Sequence, residues 1–462
     1  MQSSNQPVDL HIVGATDTNE LICVVPAARA WFKASENFLK QIVLLLPISI
    51  IDSSSDGLNY IITNVDYGRI SKLSIKKCIA YFEQFSTGRE QEGLASLLRS
   101  PAISITDLCN IKCAYCYVEA PGVTKSNRKQ VQFEGASSFI EAIAKAGSKT
   151  VQFFGGEPST YSELPQLIEK ARSEGLDVRI SSNGISSRLR SPAYKAAVSD
   201  RNVHWRISLD SHIESKNDLH RGKGTYSSIM KNLEYLASAD SYVSLKCVLS
   251  EGSLEDLEGY LDFAASFGFK VTYTIMFPVG DAKAKGMNAS ISEFDIVKEL
   301  FSIGCRRPEI MPILNPSPFG FMLRSIFLRD ALCVPRFTLY LHSDGNIYPM
   351  DSMIDEKYRV SKVNLNEENT PRDISSLVDL GKALRIQSES SLNGARCARC
   401  CVKPFCYVEN SDSWEIPNIP SQKEFASCSS KRSAIKFLML HEKDCKLLVR
   451  RMLPESSSRT VH

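Results

Sequence analysis

The sequence predicts an α/β protein. Its centre is a partial (β/α)6 barrel of the TIM type, between a small N-terminal α+β domain and a cysteine-rich C-terminal domain. Three observations predict this. Strand-like runs alternate with amphipathic stretches six times between residues 102 and 275, the pattern of a parallel sheet with crossover helices. Several of these runs end in glycine or short polar residues, where such an architecture places its ligands. The 14 cysteines of the 462-residue chain gather mainly in two places, residues 109–116 and 397–428.

Residues 1–95 read as the α+β unit, with strands at Ile42–Ile51 and Leu58–Val65 and a helix at Ser74–Phe85. Residues 96–299 read as the barrel. Its strands are predicted at Ala102–Thr106, Thr150–Phe154, Asp177–Ser182, Val203–Leu209, Tyr242–Leu249 and Lys270–Ile275. Helical periodicity falls between them at Ala136–Ala146, Ser162–Ser173, Ser227–Ala237 and Leu254–Ser266. Residues 300–462 read as a smaller appended domain, irregular and cut by Pro and Gly, with too thin a core for periodicity to reveal.

Composition narrows the function classes. A formal net charge of +3 and no basic run argue against nucleic acid. The longest apolar run, Gln41–Ile51, is too short for a bilayer and contains Pro47, and the first residues carry no secretory signal. The expected setting is cytoplasmic, without nucleic acid or membrane as partner. In a reducing compartment many cysteines point to metal binding or catalysis rather than disulfides.

Cys109, Cys113 and Cys116 form a CxxxCxxC loop just after the first barrel strand. Three thiolates in one loop suit three irons of a cubane cluster and leave the fourth iron without a protein ligand. A generic cysteine–metal site is the plainer alternative. The second strand runs into Gly155-Gly156-Glu157-Pro158, where two glycines let the backbone turn and approach a ligand closely. Ser182-Asn183 ends the third strand and Ser208-Leu209-Asp210 the fourth, and Arg221 follows in a Gly-rich segment. Short polar side chains there suit hydroxyl and carboxylate partners, and Arg221 suits a bidentate carboxylate contact. Each alone is as well explained by a turn or a solvated arginine. Asp281, after the last strand, is a speculative residue at the barrel mouth.

The CxxxCxxC spacing, with Tyr115 before the third cysteine, resembles the radical S-adenosylmethionine (SAM) superfamily. The resemblance implies a catalytic 4Fe–4S cluster on Cys109, Cys113 and Cys116. Its open iron would bind the amino and carboxylate groups of SAM, and one electron would cleave SAM to a 5′-deoxyadenosyl radical. It implies that Tyr115, Gly155, Gly156, Glu157, Ser182, Asn183, Ser208, Asp210 and Arg221 line the SAM site. It also implies an electron donor such as flavodoxin or ferredoxin.

Cys397-Ala-Arg-Cys400, then Cys406 and Cys428, resembles part of the SPASM or twitch auxiliary-cluster domain of peptide-modifying members. In that family a hairpin like Ser343–Met350 carries a cysteine where Met350 stands, and another where Asn410 stands. The resemblance therefore implies one auxiliary 4Fe–4S cluster, on Cys397, Cys400, Cys406 and Cys428. By spacing alone, structural zinc satisfies the same four thiolates. Cys23, Cys78, Cys247, Cys305 and Cys445 have no metal spacing, and most are expected to pack as small apolar residues.

A SPASM-like extension implies a peptide or protein substrate, modified by crosslinking, epimerisation or oxidation, as in maturases of ribosomal peptides. Residues 58–69 resemble the start of a leader-peptide-binding module, whose strand edge would capture a leader by β-augmentation; a plain packing domain explains them equally well. Two other classes stay open: a radical SAM dehydrogenase or rearrangement enzyme for a sugar or nucleoside, and a non-enzymatic redox-sensing iron–sulfur or zinc protein.

Overall fold

The computed structural model describes residues 11–15, 20–25, 30–35, 48–49, 61–62, 97–116, 129–250, 252–276, 281–282, 285–287, 290–328, 338–350, 354–362, 373–389, 402, 405–406 and 426–453. The expected helix at 74–85, Cys78, Cys397, Cys400 and Asn410 lie outside them, as do most of the strands expected at 42–51 and 58–65. Only the short pair Ile48–Ser49 and Ile61–Ile62 (β4 and β5) is described there, and it is antiparallel.

The barrel strands are β6 (Ala102–Thr106), β7 (Thr150–Gly155), β8 (Asp177–Ser182), β9 (Val203–Ser208), β10 (Tyr242–Leu249) and β11 (Lys270–Ile275). Neighbours pair in parallel and in sequence order, each joined to the next by helical crossovers. The crossover helices include α1 (Phe133–Lys145), α2 (Leu164–Ser173), α3 (Glu214–Arg221), α4 (Thr225–Ser238) and α5 (Leu257–Ser266). Side chains alternate between sheet faces. Val151, Phe153, Ile180, Trp205, Ile207, Leu245 and Val271 are buried on the helix side with Phe139, Leu167, Leu233 and Leu261. This double layer is the main core.

The opposite, concave face is built in register rows. Ala102, Gln152, Arg179, His204 and Tyr242 form the lower row. Arg206 lies between Ser181 and Ser244 in the next, and Ser208, Lys246 and Thr272 align above it. That face is largely polar.

The sheet does not stop at β6. A hairpin of β12 (Tyr340–Leu341) and β13 (Asn346–Tyr348) adds to it, with β12 parallel to β6, and β14 (Ser361–Lys362) pairs with β13. Gly345 takes the left-handed conformation at the hairpin turn, with φ +84°. Tyr340 stacks on Phe154 at 5.3 Å on the concave side.

The later residues correct the expectation of a thin core. α6 (Glu293–Arg306), α7 (Pro318–Phe327), α9 (Ala426–Leu440) and α10 (Glu442–Met452) bury Leu300, Phe319, Phe327, Leu438 and Val449 completely, together with Phe405; α8 spans Leu380–Glu389. Helix α6 crosses the expected boundary at residue 299. An unforeseen sheet, β1 (His11–Ala15), β2 (Glu20–Val25) and β3 (Ala30–Ser35), packs on these helices. Ile22 and Val24 join the main core; Trp31 Nε1 donates to the Ile326 carbonyl at 3.3 Å, and Lys33 pairs with Glu442 at 2.9 Å. Cys23, Cys247 and Cys445 are buried as expected, whereas Cys305 is exposed. Among the described residues no helix is long and apolar enough to cross a membrane.

Candidate active site at the strand ends

The cysteine loop leaves the C-terminal end of β6 and is held on several sides. Thr106 closes the strand, its hydroxyl accepting from the Leu108 amide at 3.0 Å. The end of β7 lies directly against this stem: Gly156 N donates to Thr106 O and Glu157 N to Leu108 O, both at 2.6 Å. This contact explains the paired glycines. Gly155 sits at φ +136°, and a Cβ on Gly156 would lie 2.2 Å from the Leu108 carbonyl oxygen. On the hairpin side, Ser343 donates to the Asp107 carboxylate at 2.5 Å.

Glu157 is 1% exposed. Its carboxylate accepts from Ser159 N at 3.0 Å, Ser182 Oγ at 2.7 Å and Asn183 N at 2.6 Å. Burial raises its pKa, although these hydrogen bonds favour the charged form. Asn183 in turn reaches the loop, donating to Asn110 Oδ1 at 2.7 Å and approaching Cys109 Sγ at 3.9 Å. Glu157 and Ser182 are therefore joined to each other, and through Asn183 to the cysteine loop.

A second network holds the other side. Tyr115 donates to Asp210 Oδ2, Arg221 Nη2 to Asp210 Oδ1 at 2.9 Å, and Val248 N to Asp210 Oδ1 at 3.1 Å. The side chains of Arg221 and Asp210 are 6% and 4% exposed. Burial disfavours the Arg221 charge, but Asp210, Tyr115 and Cys113 offset this and hold its pKa above the ordinary value. Arg221 ends α3, and the neighbouring His220 carbonyl accepts from Ala114 N at 2.7 Å. The expectation that Arg221 is presented to a ligand carboxylate meets a different geometry: its visible carboxylate partner is Asp210. Ser208 lies on the concave face beside Lys246.

Asp281 also reaches this loop, through its backbone: its amide donates to Cys116 O at 3.0 Å. Lys285, which sequence reasoning passed over, donates to Ala114 O at 3.0 Å. A lysine on a connecting segment has no motif to mark it. A cavity of about 240 Å³ opens beside Asp210, lined also by His220, Cys247, Ser250, Asp256 and Tyr260.

Cys109, Cys113 and Cys116 are half-buried free thiols. Burial pushes Cys109 and Cys113 up, Cys113 to about 11, and neighbouring thiols and carboxylates add to this. Such thiols are protonated at neutral pH, and metal binding must displace their protons. Three half-buried thiols on one braced loop fit a cubane with three protein ligands. In the later residues, Cys406 and Cys428 are half-buried, Cys428 on α9. Met350 is 1% exposed within the main core, so the position where a first auxiliary cluster would take a thiolate is occupied by apolar packing.

Fold and site together define a β/α partial barrel with a three-cysteine loop at its strand ends. Residues 103–264 match the family model of the Radical SAM superfamily, so this part of the chain is a radical SAM domain. Members of the superfamily use a 4Fe–4S cluster and SAM.

Fe-coproporphyrin III synthase of Methanosarcina barkeri is 28% identical over 199 residues, covering 42% of this chain and 45% of its own length. GTP 3′,8-cyclase of Alkaliphilus oremlandii is 29% identical over 202 residues, covering 42% and 61%. Mycofactocin maturase MftC of Mycolicibacterium smegmatis is 28% identical over 179 residues, covering 38% and 44%. The chain thus spans about half the length of the curated relatives it matches. Among solved structures, anSMEcpe with bound AdoMet and Kp18Cys peptide superposes with a TM-score of 0.55 at 18% identity, over 75% of this chain and 98% of that one. Streptococcus suis SuiB bound to the precursor peptide SuiA gives 0.53 at 12%, over 85% and 94%. At these identities the structural likeness speaks for the fold.

Proposed function

We propose that the protein is a radical SAM peptide maturase, which abstracts hydrogen from a peptide or protein substrate for crosslinking, epimerisation or oxidation. The observation that carries this is the three-thiol loop pinned between the Gly155–Glu157 turn and the Tyr115–Asp210–Arg221 network, inside a radical SAM domain. Cluster and SAM, when bound, supply the electron and the 5′-deoxyadenosyl radical; the protein's part is to position and to exclude water.

Cys109, Cys113 and Cys116 would hold the cluster. Gly155 and Gly156 would offer backbone to the SAM amino group, while Glu157, Ser182 and Asn183 keep that turn in place. Tyr115, Ser208 and Asp210 would line the far side. Arg221 would act there through Asp210, holding its carboxylate and Tyr115 rather than grasping SAM itself. Asp281 would brace the loop by its amide, and no side chain is assigned as acid or base.

Cys397, Cys400, Cys406 and Cys428 would hold one auxiliary 4Fe–4S cluster, with Met350 supporting the loss of the other. The Cys109→Ala/Cys113→Ala/Cys116→Ala protein, purified anaerobically, should retain iron and sulfide; zinc alone would overturn this assignment. The peptide reading is supported by the architecture shared with anSMEcpe and SuiB, whose structures hold peptides, and by the MftC similarity. The GTP cyclase and coproporphyrin synthase similarities favour the second reading, a small-molecule substrate. Anaerobic reconstitution with SAM and dithionite should yield 5′-deoxyadenosine, lost in the triple-Ala protein. A precursor peptide encoded nearby should bind and change in mass; a mass change only in a nucleotide or sugar would establish the second reading.

A further inference from the structure

The cysteine loop is held by the chain after β11 as well as by the strand ends. Asp281 N donates to Cys116 O at 3.0 Å, and Lys285 Nζ donates to Ala114 O at 3.0 Å. Lys285 N bonds back to Asp281 O at 3.1 Å, so the two residues that touch the loop are tied to each other. Met287 N bonds to Ala282 O at 2.9 Å, and Ala282 is completely buried, which roots this short turn in the protein. Ala114 is thereby fixed on two sides. Its amide donates to His220 O at 2.7 Å, near the end of α3, and its carbonyl accepts from Lys285.

A lysine on a backbone carbonyl is ordinarily a minor contact. The charges around this one give it weight. Arg221 and Asp210 bear on Cys113 with opposite signs and offset each other. Glu157, buried, adds negative potential at Cys109. The carbonyl end of α3, set against Ala114, adds the negative pole of a helix dipole. Cysteine binds metal as the thiolate, so three of them on one loop add more negative charge still. Asp281 meets the loop through its amide, which carries no net charge. Lys285 therefore brings a positive charge, at a fixed place between Cys113 and Cys116 in sequence, to a loop whose other surroundings are on balance negative. Lys112, within the loop, is a second cation on an exposed side chain.

We infer that Lys285 is a positioning residue for electron uptake: its ammonium, anchored on Ala114 O, favours the reduced state of a cluster held by Cys109, Cys113 and Cys116. This role rests on the cluster assignment proposed above. In the step concerned, one electron passes from an external one-electron donor, which is oxidised, to the cluster, which is reduced, and no bond is made or broken. The added negative charge is stabilised by a cation at a fixed place and opposed by nearby carboxylates. The Lys285 side chain is exposed, so water and salt weaken its effect without abolishing it.

The test is the midpoint potential of that cluster in the anaerobically reconstituted full chain, titrated with dithionite and followed by electron paramagnetic resonance. The signal read is the one missing from the Cys109→Ala/Cys113→Ala/Cys116→Ala protein. Lys285→Gln should make reduction about tenfold less favourable, a shift of about 59 mV to lower potential for one electron. Lys285→Glu should shift it further the same way. Lys285→Arg, which keeps the charge, should stay within about threefold of wild type, or about 28 mV. Thermal melting of the metal-free proteins should agree across the series, because the substituted side chain is exposed. The potential is read from loaded protein alone, so lower iron uptake in a variant does not disturb it. A shift under about threefold for both Gln and Glu, or one as large for Arg as for Gln, overturns the role of Lys285 while leaving the cluster assignment standing. A wild-type protein that takes up no iron and sulfide, or whose every signal survives in the triple-Ala protein, overturns the cluster assignment itself.

Discussion

Replacing Asp210 by Asn probes the network that ties the cysteine loop to the barrel. The change keeps the shape and one acceptor oxygen but removes the charge that Arg221 faces at 2.9 Å. Both side chains are almost wholly buried, so bulk water compensates the remaining charge poorly. Breaking a buried pair by removing one partner costs about 3–5 kcal/mol, because the other charge is left uncompensated. Tyr115→Phe, which removes only a hydroxyl donor, should cost about 1–3 kcal/mol. Arg221→Met with Asp210→Asn removes both charges and should be less destabilising than Asp210→Asn alone. The assay is urea unfolding of the metal-free, fully reduced protein, followed by circular dichroism, for wild type, both single variants and the double variant. The cycle should show a favourable coupling of about 2 kcal/mol or more. A cost below about 1 kcal/mol for Asp210→Asn, or additive single effects, would refute the idea that Arg221 is held chiefly by Asp210.

Two further outcomes follow from the site and from the concave face of the sheet. Gly156→Ala places a Cβ at 2.2 Å from Leu108 O, where ordinary contact begins near 3.4 Å, so the loop stem must retreat by about 1 Å. The protein should still fold but should load well under half the wild-type iron on reconstitution; unchanged iron content would count against the close approach. His204 is neutral in the fold with a pKa near 3, against a usual 6.5, so its contribution is complete above pH 6.5 and is lost as pH falls toward 3. The ceiling is about 5 kcal/mol, and partial exposure reduces it to about 2. His204→Gln should flatten the acid limb of the stability–pH curve; an unchanged limb between pH 6 and 4 would show that the ring is not held neutral.

Much of the barrel was legible because its strands alternate buried apolar with polar residues between clear flanks: Ala102–Thr106, Asp177–Ser182, Tyr242–Leu249 and Lys270–Ile275 form as read. Helix α3 escaped notice because it buries little apolar surface; Leu219, its one large apolar side chain, is 74% exposed. The helices after residue 290 were obscured by their punctuation. Pro318, read as an interruption, is the first residue of α7, where a proline's missing N–H costs nothing. At the site, motif spacing showed which residues gather at the strand ends. It could not show that Glu157 is occupied by Ser182 and Asn183, or Arg221 by Asp210, because those pairings depend on how separate strands meet.

The hairpin beside β6 has a consequence for how the chain is made. β6 is the first barrel strand to leave the ribosome, yet its outer neighbour begins at Tyr340, 238 residues later. At roughly 5–20 residues per second, that strand waits about 12–48 s with a bare edge. Its five residues, Ala-Ile-Ser-Ile-Thr, are all buried in the finished fold and suited to pairing with another nascent chain. A product truncated before residue 340 should therefore aggregate through this edge, even though it contains all six strands of the barrel.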